Sequence, residues 1–261
     1  MNRKSLRTTT PVVAAAALAL TLGACGASNE DTGSSSDNGD SFSGTLSGAG
    51  ASSQEAAVSA WQAGFQGANP DVTVNYDPAG SGAGREQFLA GGVAFAGSDA
   101  YLSDEELAMV PERCNGSDIV EIPTYVSPIA VIYQLDGVDE LDLDPQTLGA
   151  IFAGDITSWD DPAIAATNPD ADLPSTTITP VHRSDDSGTT ENFTDYLDKA
   201  SDGGWGEGVV ETWPIEGGEA AQGTSGVVAA VGNGDGTIGY ADASQAGDLG
   251  TARIKVGDSF T

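Results

Sequence analysis

The sequence predicts an α/β fold with a mainly parallel sheet. After Gly44, strand-like runs alternate with helix-like runs along the whole chain. Turns rich in Gly and Ser stand between a strand and the helix that follows it. Alternation of this kind is typical of βαβ units, whose strands are parallel. The length of this part of the chain suits one large or two small domains, and no internal repeat is visible.

The first elements lie between the first glycine-rich turn and the middle of the chain. Residues 56–65 predict an amphipathic helix, because Val58, Trp61 and Phe65 recur on one side. Residues 72–76 alternate apolar and polar side chains, which indicates a strand. A short helix is predicted at residues 86–90.

The later elements continue the alternation. Residues 126–135 are rich in Val, Ile and Tyr, which favours a buried strand. Residues 178–183 and 237–240 predict further strands. Helices are predicted at residues 145–152 and 191–197, where apolar side chains recur at helical spacing.

The beginning of the chain predicts export. Basic residues precede an apolar run over residues 12–22, which is shorter than the roughly 20 residues of a membrane span. Residues 1–24 therefore predict a signal peptide. The sequence Leu-Gly-Ala-Cys resembles a bacterial lipobox and implies lipid on Cys25; an ordinary secretory signal with an incidental cysteine is the alternative. Residues 25–43, rich in Ser, Gly, Asp and Asn, predict a flexible tether to an extracytoplasmic membrane face.

Charge and cysteine content restrict the class of protein. The chain has 9 basic and 39 acidic residues, a formal net charge of −30. Such an acidic protein is expected to bind neither nucleic acid nor anionic lipid head groups. With Cys25 lipidated, Cys114 is left as a free thiol or lacks its partner. With one His and no Cys/His cluster in the sequence, we expect no transition-metal site and no cofactor.

Four segments share a pattern of small residues before a helix start. At the end of the first segment Ser52-x-x-Glu55 predicts a capping box, and Ser103-x-x-Glu106 predicts a second one just after the third segment. Helix N-termini present unpaired N–H groups and a partial positive charge, so they bind anions. Taken singly, each segment is more simply a capped helix; together they indicate an anion site at the carboxyl ends of the strands. The four segments are residues 48–53, 80–84, 97–100 and 187–189.

The fourth segment follows an arginine, which is rare in this acidic chain. Residues 181–190 hold Arg183, a glycine and four hydroxyl side chains in ten positions. The guanidinium presents a planar fork of donors that matches a tetrahedral oxyanion. Ser187 and Thr189 add hydroxyl donors. The sequence therefore predicts an oxyanion receptor.

Six segments occur in the following order along the chain: GAGASS, YDPAGSGAG, VAFAGSDAYLSDEEL, TLGAIFAGDITSWDDPAIAATNP, ITPVHRSDDSGTTENFTDYL and TIGYADAS. Together they resemble the phosphate-binding protein of the phosphate ABC transporter, which is periplasmic or lipid-anchored. The resemblance covers residues 44–245. It implies a two-lobe, type II periplasmic-binding-protein fold that closes on its ligand, and permease subunits in the membrane as partners.

The resemblance also implies which residues contact phosphate. Ser52 contributes its hydroxyl and N–H, and Ser53 its N–H, although the family commonly has Thr-Phe at these two positions. The loop after Ser81 also departs from the family, which puts contacts beyond Ser81 in doubt. The implied phosphate ligands are Ser52, Ser53, Ser81, Asp99, Arg183, Ser187, Gly188 and Thr189.

Asp99 favours phosphate over other oxyanions. Phosphate carries at least one hydroxyl at neutral pH, and an acceptor-only carboxylate takes that proton in a charge-assisted bond. A receptor for sulfate or molybdate is the alternative nearest to this prediction. Asp99 argues against it, because sulfate has no proton to offer to the carboxylate. Asp185 either orients Arg183 or forms a turn. His182 is predicted to be a structural neighbour.

A hydrolase is the alternative of another class. Residues 257–260 resemble the Gly-Asp-Ser block of some lipases, but no His follows them. His182 and Ser187 lie in one loop, which is poor geometry for a catalytic triad. Residues 232–236 suggest a calcium loop but lack its last glutamate, so a turn is favoured. The prediction is a binding protein and not an enzyme.

Domain boundaries follow from the resemblance. The predicted first lobe spans residues 44–125, and the predicted second lobe spans 126–245. Residues 246–261 are predicted to start a segment that returns to the first lobe. Family members usually continue beyond that point, so the first lobe is expected to be incomplete because the chain ends early.

Overall fold

A computed structural model describes residues 42–261 of the chain. We keep the labels first lobe for residues 44–125 and second lobe for residues 126–245, and we count residues 246–261 with the second lobe because their strands pair with it. The first lobe has a three-stranded sheet in the order β2-β1-β3, and both strand pairs are parallel. Its strands and helices are β1 (Gly44–Gly50), α1 (Glu55–Ala68), β2 (Val72–Asp77), α2 (Ser81–Leu89), β3 (Phe95–Gly97), α3 (Asp104–Leu107) and α4 (Val110–Arg113).

The second lobe is built on a five-stranded sheet in the order β7-β6-β8-β4-β9. Strand β6 is parallel to both β7 and β8, whereas β4 is antiparallel to both β8 and β9. The α/β prediction is confirmed, but this sheet is mixed and not mainly parallel. The strands are β4 (Ile129–Gln134), β6 (Thr179–Arg183), β7 (Glu219–Ala221), β8 (Thr237–Asp242) and β9 (Gly250–Thr251).

Helices cover both faces of this sheet. Side chains of β4 alternate between two cores: Val131 and Tyr133 enter the larger one with Phe152 and Phe193, and Ile132 enters the smaller one. This alternation is the period-2 pattern of a strand buried on both faces. The helices of the lobe are α5 (Pro145–Ala153), α6 (Pro162–Thr167), α7 (Gly188–Ala200) and α8 (Gly223–Asn233).

The last residues pair with the second lobe. Strand β9 pairs with β4. Strand β10 (Arg253–Val256) pairs with β5 (Asp142–Leu143) and with β11 (Ser259–Phe260). The sequence predicted that residues 246–261 begin a return to the first lobe; instead, their strands extend sheets of the second lobe, where open strand edges are available to them.

One of the two predicted capping boxes is wrong. Helix α1 begins at Glu55 with no side-chain cap, because the hydroxyl of Ser52 bonds to Thr224 in the second lobe. The box of Ser103 and Glu106 at α3 is confirmed, with both reciprocal bonds present.

Two apolar stretches are less buried than their pattern predicted. Of the apolar face of α1, Val58 is buried while Trp61 and Phe65 are nearly half exposed. The strand predicted from residue 126 begins only at Ile129, and Val126 is exposed. None of the helices within residues 42–261 has the length and apolar character that a membrane span requires.

Candidate functional site

The first side of the site is the loop between β1 and α1. Strand β1 ends at Gly50, whose φ of 145° and close approach to the Gly97 carbonyl leave no room for a side chain. The chain then turns through Ser52 and Ser53, both buried. The Ser52 Oγ accepts the Thr224 N–H at 2.9 Å. A residue of the second lobe therefore holds the first predicted ligand in place.

The N-terminus of α2 forms the second side. Gly80, with a φ of 105°, precedes Ser81, the first residue of the helix. The Ser81 side chain is buried, and its Oγ accepts the Asp99 N–H at 3.2 Å. Because the oxygen accepts this bond, the hydroxyl hydrogen of Ser81 remains available for donation.

Asp99, which follows β3, joins the two lobes. Its carboxylate accepts the Ser53 hydroxyl at 2.6 Å and the Thr189 hydroxyl at 2.9 Å. Its backbone carbonyl accepts the Asn192 side-chain amide at 2.9 Å. Each carboxylate oxygen has two lone pairs, so each keeps one for a further donor.

Strand β6 and the start of α7 supply the second-lobe side. Ser187 is the N-cap of α7 and accepts the Thr190 N–H at 3.1 Å. Arg183, the last residue of β6, is 3% exposed. Its Nε donates to Asp185 at 2.8 Å, and its Nη2 donates to the other oxygen of that carboxylate. This two-pronged contact fixes the plane of the guanidinium and leaves Nη1 without a protein acceptor among residues 42–261.

Asp185 connects this arginine to a further helix. Its Oδ1 also accepts the Gly223 N–H at 3.0 Å, and Gly223 is the first residue of α8. The next residue, Thr224, bonds to Ser52. The contacts thus link Arg183 to the first-lobe loop through the N-terminus of α8, and they place Asp185 where the predicted orienting role requires it.

Buried backbone donors without partners mark the site. Within the described part of the chain, six N–H groups in these loops have no hydrogen-bond acceptor, although their residues are buried. Buried N–H groups in folded proteins are almost always paired, so a cluster of unpaired ones indicates a place for an anionic ligand. The six belong to Ser52, Ser53, Gln54, Ser81, Gly188 and Thr189.

The two lobes approach each other closely at Gly188. A Cβ at this position would lie 2.7 Å from the Ser81 Oγ and 2.8 Å from the Asp99 Cβ, closer than real contacts allow. The eight predicted ligands therefore lie in one connected cluster that includes both lobes.

The electrostatics of the cluster depend on dipoles more than on net charge. Arg183 is balanced by Asp185, and Asp99 adds a further negative charge, so the charged side chains alone do not attract an anion. The N-termini of α2 and α7 supply partial positive charge and aligned N–H groups. Such donors act over short distances, which suits a site inside an acidic protein.

The sequence did not reveal three residues that support the site. Thr224 bonds to Ser52, as described above. The Gln245 Nε2 donates to the carbonyls of Ser52 and Ser53, at 3.0 and 2.8 Å. Burial raises the pKa of the Tyr240 hydroxyl to about 12, so it stays neutral between the Thr190 hydroxyl and the Arg183 N–H. Only Thr224 had a signal, because Gly223-Thr224 is another small-residue helix start.

His182 lies beside the site. Its ring stacks on Trp213, with centroids 5.0 Å apart. Its two nitrogens lie 3.0 and 3.2 Å from the carbonyls of Arg183 and Gly217. This is the position of a structural neighbour. In the portion of the chain that the structure describes, no group of His, Cys, Asp and Glu is arranged to hold a metal ion.

A sequence profile described as a PBP superfamily domain matches residues 32–258. The chain belongs to the PBP superfamily. Its α/β architecture is the one that the resemblance to periplasmic binding proteins implied, so that prediction is confirmed.

Curated relatives of this PBP-superfamily chain include phosphate-binding proteins of mycobacteria. It is 42% identical over 212 residues to Phosphate-binding protein PstS 3 of Mycobacterium leprae strain TN, which is 80% of this chain and 57% of the relative. It is also 42% identical over 232 residues to Phosphate-binding protein PstS 3 of Mycobacterium tuberculosis strain H37Rv, which is 86% of this chain and 62% of the relative. The chain therefore spans about three-fifths of the length of these relatives.

A solved structure has the same fold. It is a high-affinity periplasmic phosphate-binding protein bound with phosphate, 26% identical to this chain, with a TM-score of 0.65. The match covers 82% of this chain and 62% of that one.

Proposed function

We propose that the chain is an extracytoplasmic, lipid-anchored receptor that binds inorganic phosphate between its lobes and delivers it to the permease subunits of an ABC importer. One observation carries the proposal: the Asp99 carboxylate accepts one hydroxyl from each lobe, in the same cluster of loops as the buried Arg183 and the unpaired N–H groups. The curated relatives are named phosphate-binding proteins, which agrees with this chemistry.

Proton count makes phosphate the best ligand. At neutral pH it carries one or two hydroxyl hydrogens and several acceptor oxygens. The unpaired N–H groups and the Nη1 of Arg183 are donors for those oxygens, and the spare lone pairs of Asp99 accept a ligand hydroxyl. The Thr189 hydroxyl, which donates to Asp99 at 2.9 Å, can rotate to face the ligand.

Sulfate and molybdate fit less well. A fully deprotonated oxyanion would set its oxygens against the Asp99 carboxylate, leaving an acceptor unpaired and two like charges in contact. A site built to pair a ligand hydroxyl rejects an analogue without it by about 10⁴–10⁵-fold. These anions are therefore competitors for the test, and not the proposed ligand.

Binding, and not catalysis, is the proposed role of the cluster. Ser187 uses its oxygen as the cap of α7, accepting the Thr190 N–H. The nitrogens of His182 face backbone carbonyls and not this hydroxyl. A serine nucleophile needs a base within hydrogen-bond reach, and this histidine is not placed as one.

The proposed membrane anchor lies outside the described residues. The signal peptide over residues 1–24, the lipid on Cys25 and the tether over residues 25–43 are inferences from sequence. Stable anchoring takes two lipid chains, which a diacylated cysteine supplies. Replacement Cys25→Ser should move the protein from the membrane fraction to the soluble fraction, and a variant that stays in the membrane fraction would contradict the anchor.

Equilibrium dialysis against radiolabelled phosphate tests the binding role. The full mature chain should retain phosphate at neutral pH, and unlabelled sulfate or molybdate in large excess should displace little of it. Displacement by sulfate at the same concentration as by unlabelled phosphate would reject phosphate as the specific ligand.

A further inference from the structure

An ion pair away from the phosphate ligands joins the two lobes. Arg85 of α2 donates from Nη1 and Nη2 to the two carboxylate oxygens of Glu211, at 2.9 and 2.7 Å. The two residues are 126 positions apart in sequence. Among the ion pairs of residues 42–261, this is the one that connects the first lobe to the second.

The pair is built as a fixed contact. The Arg85 side chain is 7% exposed and that of Glu211 is 23% exposed. The Nε of Arg85 donates to Glu106 at 2.8 Å, and the capping box of α3 fixes the position of Glu106. Burial acts to lower the pKa of Arg85, but the bonds to Glu211 and Glu106 outweigh it and raise that pKa. The arginine therefore stays charged and oriented.

Each end of the pair leads directly to the proposed phosphate site. Arg85 lies one helical turn after Ser81 on α2, and its Nη1 also donates to Ser98, the neighbour of Asp99, at 3.0 Å. The backbone carbonyl of Glu211 accepts the N–H of Ser187, the cap of α7, at 3.2 Å. Separation of Arg85 from Glu211 would therefore accompany separation of the two helix N-termini that form the site.

We infer that Arg85 and Glu211 form a clasp that holds the two lobes together and so sets how long a bound anion is retained. The two residues are positioning residues, because neither contacts the ligand cluster with its charged group. The inference concerns the same site as the proposed function and rests on it for its ligand. A clasp made only when the lobes are closed stabilises the closed form and slows release, and it leaves capture by the open form unchanged.

Stopped-flow kinetics with inorganic phosphate test the clasp on the full mature chain. Glu211→Gln removes the charge at nearly constant shape, and we expect the phosphate release rate and Kd to rise about tenfold with little change in the association rate. In a double-mutant cycle, Arg85→Met combined with Glu211→Gln should cost no more than the larger single effect. The control is Asp142→Asn, which breaks the similar pair of Asp142 with Arg253 inside the second lobe and should leave release unchanged.

Release rates and Kd within twofold of wild type in Glu211→Gln, or fully additive effects in the cycle, would overturn the clasp. Hydrogen exchange without ligand separates this inference from the proposed function. Peptides that span α2 and the start of α7 should exchange faster in Glu211→Gln than in wild type. If wild type binds no phosphate, the proposed function fails, and unchanged exchange in these peptides would then reject the clasp as well.

Discussion

The replacement Arg183→Lys tests the role of the buried guanidinium. The arginine side chain is 2% exposed, and its Nε and Nη2 donate to Asp185, which leaves Nη1 for a ligand. A lysine ammonium is a single point and cannot keep both the Asp185 contact and a ligand contact in one plane. Loss of a buried, charge-assisted contact costs about 2–5 kcal/mol. At about 1.4 kcal/mol for each tenfold change, the phosphate Kd should rise roughly 30-fold to roughly 4,000-fold.

Calorimetric titration of wild type and Arg183→Lys with phosphate measures this change. Arg253→Lys is a matched control, because Arg253 also binds an aspartate, Asp142, through two prongs at 2.7 and 3.1 Å, but does so in an exposed place in the second lobe. The control should leave the Kd unchanged. A Kd for Arg183→Lys within about twofold of wild type would refute the reasoning, since it would mean that Arg183 does not touch the ligand.

Three further changes are predicted. Asp99→Asn supplies an amide donor in place of an acceptor, so in competition titrations sulfate should approach phosphate to within about tenfold; undiminished selectivity would contradict this. Gly188→Ala places a methyl group 2.7 Å from the Ser81 Oγ, so the phosphate Kd should rise at least ~10-fold through hindered closure while the Tm changes little; an unchanged Kd would show that the lobes do not approach so closely. Burial acts to raise the pKa of Glu106, but bonds from Ser103 and Arg85 outweigh it and lower that pKa below 4.5. The carboxylate therefore stabilises the fold above pH 4.5 and loses this contribution as the pH falls through the folded value, so the Tm advantage of wild type over Glu106→Gln should shrink below pH 4.5; a constant difference would contradict it.

The sequence predicted elements whose signals are local. Helix α5 shows this: Asp144 caps its start, Pro145 begins it, and Gly154 follows it with a φ of 80°. All three signals come from residues at the two ends of the helix itself, so they can be found in the local sequence. The site loops could be grouped for a similar reason, because strand ends followed by helix starts gather on one edge of an α/β sheet.

Long-range pairings were not predictable. Ser52 and Thr224 are 172 residues apart, and nothing near Ser52 shows that its hydroxyl leaves its own helix for α8. The same holds for Arg85 and Glu211. Helix α7 was predicted from residue 191 because its apolar spacing starts after that point, whereas its first turn is polar and depends on the Ser187 cap.

The antiparallel half of the second sheet had no signal either. Strand β4 is buried on both faces, and such a strand reads as a continuous apolar run whether its neighbours are parallel or antiparallel. Its direction is set by how the chain between the lobes enters the sheet, which depends on the assembled fold.

Titration calorimetry of the full mature chain with phosphate and, separately, with sulfate at neutral pH tests the central claim most directly. The arrangement of Asp99 among donors from both lobes predicts a phosphate Kd in the micromolar range or tighter, about −8 kcal/mol or better. It predicts sulfate binding weaker by at least ~10³-fold, because sulfate leaves the carboxylate unpaired. Equal affinity for the two anions, or no heat with phosphate at millimolar concentration, would contradict the account.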